Sequence, residues 1–200
     1  MALHWRLPGG IVRPALWIGL GLCAGCFAPP DLPAFDGVPV VPSGQCAPNR
    51  VEWVACVLDG DTFDLTTCST DTSERVRLLG IDAPEIAHDG NPAQCWADEA
   101  STELRRLVAK RRVLLTFDHD CIGVYGRTLA YVWLEDEPTD AGPGPDALLI
   151  NEWMLSEGYA RLFDEDFGHP LRMEDRLRAA QSDAQARGLG LWSACDGGAT

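Results

Sequence analysis

From residue 50 onward, apolar and polar positions fall into short runs punctuated by Gly, Pro and Asp. Arg50–Leu58 (RVEWVACVL) is rich in valine and aromatic residues and reads as a strand. Asp59-Gly60 is a hairpin signal, and Thr62–Thr67 returns as the second strand. Ser69–Glu74 is polar and loop-like. Arg75–Ile81 (RVRLLGI) reads as a third strand, ended by Asp82-Ala83-Pro84. The period then changes. Over Gln94–Lys110, Ala97, Ala100, Leu104, Leu107 and Val108 recur at spacings of 3 and 4, with Glu99, Glu103, Arg105 and Arg106 opposite, which predicts a helix. Val113–Phe117 and Arg127–Leu134 read as strands around a turn at Asp118–Tyr125. Glu135–Asp146 is a surface loop by its Pro, Gly and Asp content. Ala147–Glu157 and Leu171–Arg187 read as two further helices, stopped by Gly158 and Gly188, and Trp192 is expected to anchor the tail. The predicted class is α+β, mainly β: a five-stranded Greek-key barrel with three helices.

The start of the chain has a different character. Residues 1–26 carry His4, Arg6 and Arg13, then the apolar run Ala15–Leu22, too short to span a bilayer. This is the pattern of a signal peptide. Ala24-Gly25-Cys26 resembles a bacterial lipobox, with Cys23 where leucine is usual, so Cys26 is expected to be lipidated. Residues 27–45 hold five prolines (Pro29, Pro30, Pro33, Pro39, Pro42) and read as a spacer. The domain is expected over 46–196, with a tail at 197–200. The protein is thus expected in a bacterial cell envelope, lipid-anchored in the periplasm or at the surface, or otherwise secreted.

Charge alters the picture of partners. The net charge is −14, and loss of Arg6 and Arg13 with the signal makes it 14 − 30 = −16. A nucleic-acid binder normally carries a basic footprint, so such a role needs a local arginine cluster. The dense one is Arg105, Arg106, Lys110, Arg111 and Arg112, which reads first as a solvated face pairing with Glu103 and Glu99, and second as an accessory nucleic-acid contact. Cys46, Cys56, Cys68, Cys95, Cys121 and Cys195 remain after the signal, with no CxxC pair. An even number in an exported chain argues for disulfides rather than zinc. Spacing does not choose among the 15 pairings; position favours Cys95–Cys121, then Cys56–Cys68 and Cys46–Cys195.

Candidate chemistry gathers at two strand ends. Asp59, Asp61, Asp82 and Glu85 lie with Arg77 in V57–F63 and V76–E85. Carboxylate oxygens suit a hard cation and a guanidinium suits phosphate. Asp-Gly alone is most often a turn former, but Arg77 within an apolar strand needs a partner. Asp118-His119-Asp120 reads as a solvated turn rather than a metal site, and His88 and His169 as loop histidines.

The set DGDT (59–62), VRLLGIDAPE (76–85), EAS (99–101), YGRTLAYVW (125–133), NEWMLSEGYA (151–160) and GLW (190–192) resembles the thermonuclease, or staphylococcal-nuclease-like, family, in order over residues 50 to 193. The resemblance implies an OB-fold barrel with three helices and Ca²⁺-dependent hydrolysis of DNA and RNA. A monomer is expected, with no protein partner evident in the sequence. It implies Asp61, Asp82 and the Ala83 backbone carbonyl as calcium ligands, Arg77 and Arg127 on the scissile phosphate, Glu85 as general base, and Asp59 and Thr62 in support. Where the family has nucleotide-stacking tyrosines this chain has Asp164 and Asp166, with Phe163 or Phe167 as substitutes. The rival expectation is a non-catalytic OB-fold module binding nucleic acid or protein.

Overall fold

The computed structural model describes residues 46, 48–68, 73–163 and 169–195. The signal segment with Cys26, the linker, the tail, Asp164, Asp166 and Phe167 lie outside the described residues.

Five strands form a closed barrel. β1 (Arg50–Val57) pairs antiparallel with β2 (Thr62–Leu65), and β2 with β3 (Arg75–Leu78). β1 also pairs with β5 (Arg112–Thr116), and β5 with β6 (Thr128–Leu134). A parallel pairing of β3 with β6, Arg77 opposite Leu129, closes the ring. This is the expected OB-type architecture. Val54, Phe63, Leu65, Val76, Leu78, Val113, Leu114, Leu115 and Val132 pack inside the barrel or under the elements that cover it, all essentially without solvent contact.

The apolar stripe of α1 (Ala97–Val108) is realised: Ala97, Ala100, Leu104, Leu107 and Val108 are buried. The helix starts after the expected Gln94, because Trp96 takes a left-handed φ of 73° that breaks the helical run. Leu148–Leu149 becomes β7, paired with β6, so α2 is Ile150–Ser156. α3 is Glu174–Arg187, and Gly188 ends it at φ 62°. A short fourth helix, α4 (Leu191–Ala194), carries Trp192.

The run Arg75–Ile81 is not one strand. It turns at Leu79-Gly80, where Gly80 has φ 78°, and resumes as β4 (Ile81–Asp82), which pairs with β8 (Arg161–Leu162). Asn151 of α2 holds this break. Fully buried, it donates to the carbonyls of Leu79 (2.9 Å) and Ala130 (3.2 Å) and accepts from the Val132 amide (2.9 Å).

Two of the expected disulfide pairings exchange partners. Cys46 bonds Cys121 and Cys95 bonds Cys195, with Cα separations of 5.5 and 5.9 Å; Cys56–Cys68 is as expected at 5.6 Å. The chain end returns to the start of α1 through α4, while the domain's first residues lie against the turn after β5. Neither proximity shows in sequence spacing.

Candidate active site

The break in the third strand assembles the site. It lets Asp82 double back toward Arg77, which leaves the barrel from β3. Arg77 Nη1 donates to Asp61 Oδ1 at 2.6 Å, Nη2 to Asp82 Oδ1 at 2.5 Å, and Nη2 also to the Ile81 carbonyl at 3.4 Å. Asp61 comes from the turn before β2. Its amide is held by Asp59 Oδ1 (3.0 Å), its Oδ1 accepts from the Thr62 hydroxyl (2.8 Å), and its Oδ2 accepts from the Ala83 amide (2.8 Å). The hairpin and the β4 loop are therefore locked to each other through one carboxylate.

Small residues permit that approach. A Cβ on Gly60 would meet the Cβ of Ala83 at 2.6 Å and of Ala100 at 2.7 Å. Hairpin, β4 loop and first turn of α1 thus touch without side chains between them.

Burial pushes the Asp61 carboxyl up to about 8, against the pull of Arg77 and with Asp59 adding repulsion. Burial also works against the Arg77 charge, but Asp61 and then Asp82 outweigh it and hold its pKa above the ordinary value. Burial lifts the Glu85 carboxyl, and the Asp59 charge lifts it further. The Glu85 backbone is fixed by Gln94: its amide donates to Gln94 Oε1 at 2.7 Å and its carbonyl accepts from the Gln94 amide at 2.9 Å.

Arg127 stands just before β6, two residues from Leu129, the register partner of Arg77. Its guanidinium lies over the Tyr125 ring at 5.5 Å, and its buried Nε has no hydrogen-bond partner. Tyr125 is 80% exposed at the tip of that loop. Phe163 faces the Arg77 guanidinium at 5.8 Å.

The donor chemistry fits a hard cation. Asp61, Asp82 and the Ala83 carbonyl offer oxygen only, and the Asp82 side chain is half exposed. Among the described residues no three His, Cys, Asp or Glu side chains form a ready-made cage, so a cation here would rest on two carboxylates, backbone oxygen and water.

Asp118 departs from the expected solvated turn. It is buried and accepts from the Tyr131 hydroxyl (2.7 Å) and the amides of Arg172 and His119 (each 2.8 Å). It ties the turn after β5 to the segment leading into α3. His169 pairs with Asp120 at 2.9 Å, and its ring meets that of His119 edge to face. In the basic cluster Arg106 pairs with Glu103, Arg105 bonds Ser101 and Arg111 bonds the Leu107 carbonyl. Arg111 and Arg112 line an open groove of about 560 Å³ with Glu135, Asp136, Glu137 and Asp146, acids that oppose a phosphate backbone there.

Gln94 and Arg161 also meet the site residues, though no sequence motif marks them. Asp82 stands opposite Arg161 in the β4–β8 pair. The Arg161 guanidinium sits 4.7 Å from the centre of the Trp192 ring, and burial pushes its pKa down while Asp82 pulls it up. An arginine opening a short strand beside a predicted site strand was the available signal, but the pairing is visible only in the fold.

A family model described as "Staphylococcal nuclease homologue" matches residues 75–194. A thermonuclease from Staphylococcus intermedius is 35% identical over 136 residues, covering 68% of this chain and 72% of that protein. Protein ParB from Escherichia coli is 32% identical over 154 residues, 77% of this chain and 78% of that protein. "Probable endonuclease LCL3" from Uncinocarpus reesii (strain UAMH 1704) is 34% identical over 130 residues, 61% of this chain and 39% of that protein.

Proposed function

Because this chain belongs to the staphylococcal nuclease homologue family, we propose that it is a nuclease that hydrolyses phosphodiester bonds in DNA and RNA by metal-assisted attack of water. The observation that carries the reading is Arg77 held between Asp61 and Asp82, with the raised Glu85 carboxyl beside them. A guanidinium fixed at both ends by carboxylates has its direction set before substrate arrives.

Each residue then has a role. Arg77 and Arg127 bind the scissile phosphate and strengthen their hold as charge grows on its oxygens. Glu85 takes the proton of the attacking water, and a lifted pKa makes it the stronger base. Asp61, Asp82 and the Ala83 carbonyl would hold Ca²⁺, which when bound neutralises phosphate charge and orients the ester. Asp59 and Thr62 keep Asp61 in place. Tyr125, exposed beside Arg127, offers a face on which a base can stack.

Location is part of the proposal. Residues 1–26 support export, and three disulfides suit an oxidising compartment. Lipidation of Cys26 would make the site work at the cell envelope, and a mass spectrum of the mature N-terminal peptide tests that anchor.

The deciding assay is plasmid digestion with Ca²⁺ and with chelator. Cleavage with Ca²⁺ alone is expected, and no cleavage under either condition refutes the proposal. Glu85→Gln is expected to lower turnover by roughly 10² to 10⁴-fold and Arg127→Ala by roughly 10² to 10³-fold, with thermal stability retained. Near-parental turnover in either folded variant removes that residue from its role.

A further inference from the structure

Buried guanidinium N–H groups without partners are rare because each carries a desolvation penalty. Among the described residues the arginine nitrogens in this state are Arg50 Nε, Arg127 Nε, and Arg161 Nε and Nη2. Arg50 has its other nitrogens engaged by Glu52 and Glu74. Arg127 and Arg161 remain: Arg127 lies just before β6, whose Leu129 is the register partner of Arg77, and Arg161 lies on β8 across from β4.

Arg161 is the less expected of the two. Directly opposite residues in an antiparallel pair share a face, so Arg161 lies on the same face as the Asp82 carboxylate. That carboxylate gives its Oδ1 to Arg77 at 2.5 Å, and among the described residues the Arg161 Nε and Nη2 have no hydrogen-bond partner. The Trp192 ring supports the guanidinium from one side. A contact with an aromatic face uses the π-surface of the cation and leaves the Nε–Nη2 edge, the edge that binds phosphate oxygens in a bidentate fork. The residue is only half-buried, and a phosphate would reach this edge once the outer torsions of the side chain turn it outward.

We propose that Arg161, seated on Trp192, forms a second phosphate subsite that holds the phosphodiester next to the one bound at Arg77. This rests on the nuclease reading and adds a strand-holding contact to it. The ligand class is a polynucleotide; a single phosphate ester would gain little from Arg161.

The test uses a Glu85→Gln background, which slows cleavage enough for binding to be read first, and a fluorescent decathymidylate with Ca²⁺ present. Affinity is followed by anisotropy from about 50 to 200 mM salt. Adding Arg161→Gln is expected to weaken low-salt binding about tenfold and to flatten the log affinity against log salt slope by about 0.7, one single-strand phosphate contact. Arg161→Met, whose apolar stem still packs on Trp192 and has no N–H groups to bury, is expected to flatten it equally; it carries the test if the Gln variant does not fold. Arg161→Lys is expected to keep the slope. An unchanged slope in the folded Gln or Met variant overturns the subsite, whether or not affinity falls, because a structural role has no reason to move counterion release. If Glu85→Gln alone does not bind decathymidylate, the nuclease reading fails and the subsite falls with it.

Discussion

Replacing Asn151 with alanine removes three hydrogen bonds from a position with no solvent contact. The Ala130 carbonyl keeps another donor, the Leu79 amide at 2.9 Å. The Val132 amide and the Leu79 carbonyl lose their partner. Each orphaned group costs about 1–3 kcal/mol, so the variant loses roughly 2–6 kcal/mol. With an m-value of about 2 kcal/mol per molar urea, the unfolding midpoint falls by about 1–3 M. Urea titration followed by tryptophan fluorescence measures it. Asn151→Leu separates the polar effect from the cavity, because it keeps the volume and loses the same bonds; a fall of the same size is expected. A midpoint for Asn151→Leu within about 0.3 M of the parent, less than about a third of the smallest expected fall, would refute the reasoning, since the groups would then have found other partners. Catalysis should suffer as well, because the Leu79 carbonyl fixes the turn between Arg77 and Asp82.

Three further outcomes are expected. Gly60→Ala places a methyl against Ala83 and Ala100; overpacking of about 1–3 kcal/mol should lower the melting temperature, and displacement of the Asp61–Ala83 contact should lower nuclease activity. For Asp118, burial opposes the charge, but the Tyr131 hydroxyl and the Arg172 and His119 amides outweigh it and depress the pKa. Its contribution is therefore complete above the unfolded value of about 4 and is lost as pH falls through the folded value; Asp118→Asn should be less stable than the parent at neutral pH, with the gap closing in acid, and a gap unchanged down to about pH 2 would contradict this. A non-reduced peptide map should show Cys46–Cys121, Cys56–Cys68 and Cys95–Cys195, and the Cys95→Ser/Cys195→Ser pair should cost roughly 3–5 kcal/mol in thermal unfolding.

Periodicity made the barrel strands and α1 legible, because burial on one face writes itself into the sequence at period 2 or 3.6. It did not reveal the break at Leu79-Gly80. Val76, Leu78, Leu79 and Ile81 run through RVRLLGI as one series of strand formers, and the turn depends on Gly80 and on a side chain far along the chain, Asn151. Legibility of the site followed the same division. Asp61, Arg77 and Asp82 sit near each other in sequence as in space, and the structure brings them within hydrogen-bonding distance. Arg161 and Gln94 belong to the site only through pairings made by folding. Asp118 looked solvated because its neighbours His119 and Asp120 are exposed, while its hydroxyl partner lies on β6. Cys56–Cys68 spans a short hairpin and was legible, whereas the other two pairings differ for a related reason: Cys95 and Cys121 bound one stretch of chain, yet each is carried to an end of the domain.

Those exchanged partners have a consequence for how the protein withstands proteolysis. The bridges Cys46–Cys121 and Cys95–Cys195 interleave along the chain. A protease that cuts once before Cys121 leaves the two pieces joined by the first bridge, and one that cuts once after Cys95 leaves them joined by the second. The two spans overlap between Cys95 and Cys121, so no single peptide bond from Cys46 to Cys195 can be broken to set a fragment free. The alternative pairing, with Cys95–Cys121 nested inside Cys46–Cys195, would share this property but would hang it on one bond for most of the chain. The observed arrangement divides that burden, and a nicked molecule keeps both walls of its cleft on one covalent body.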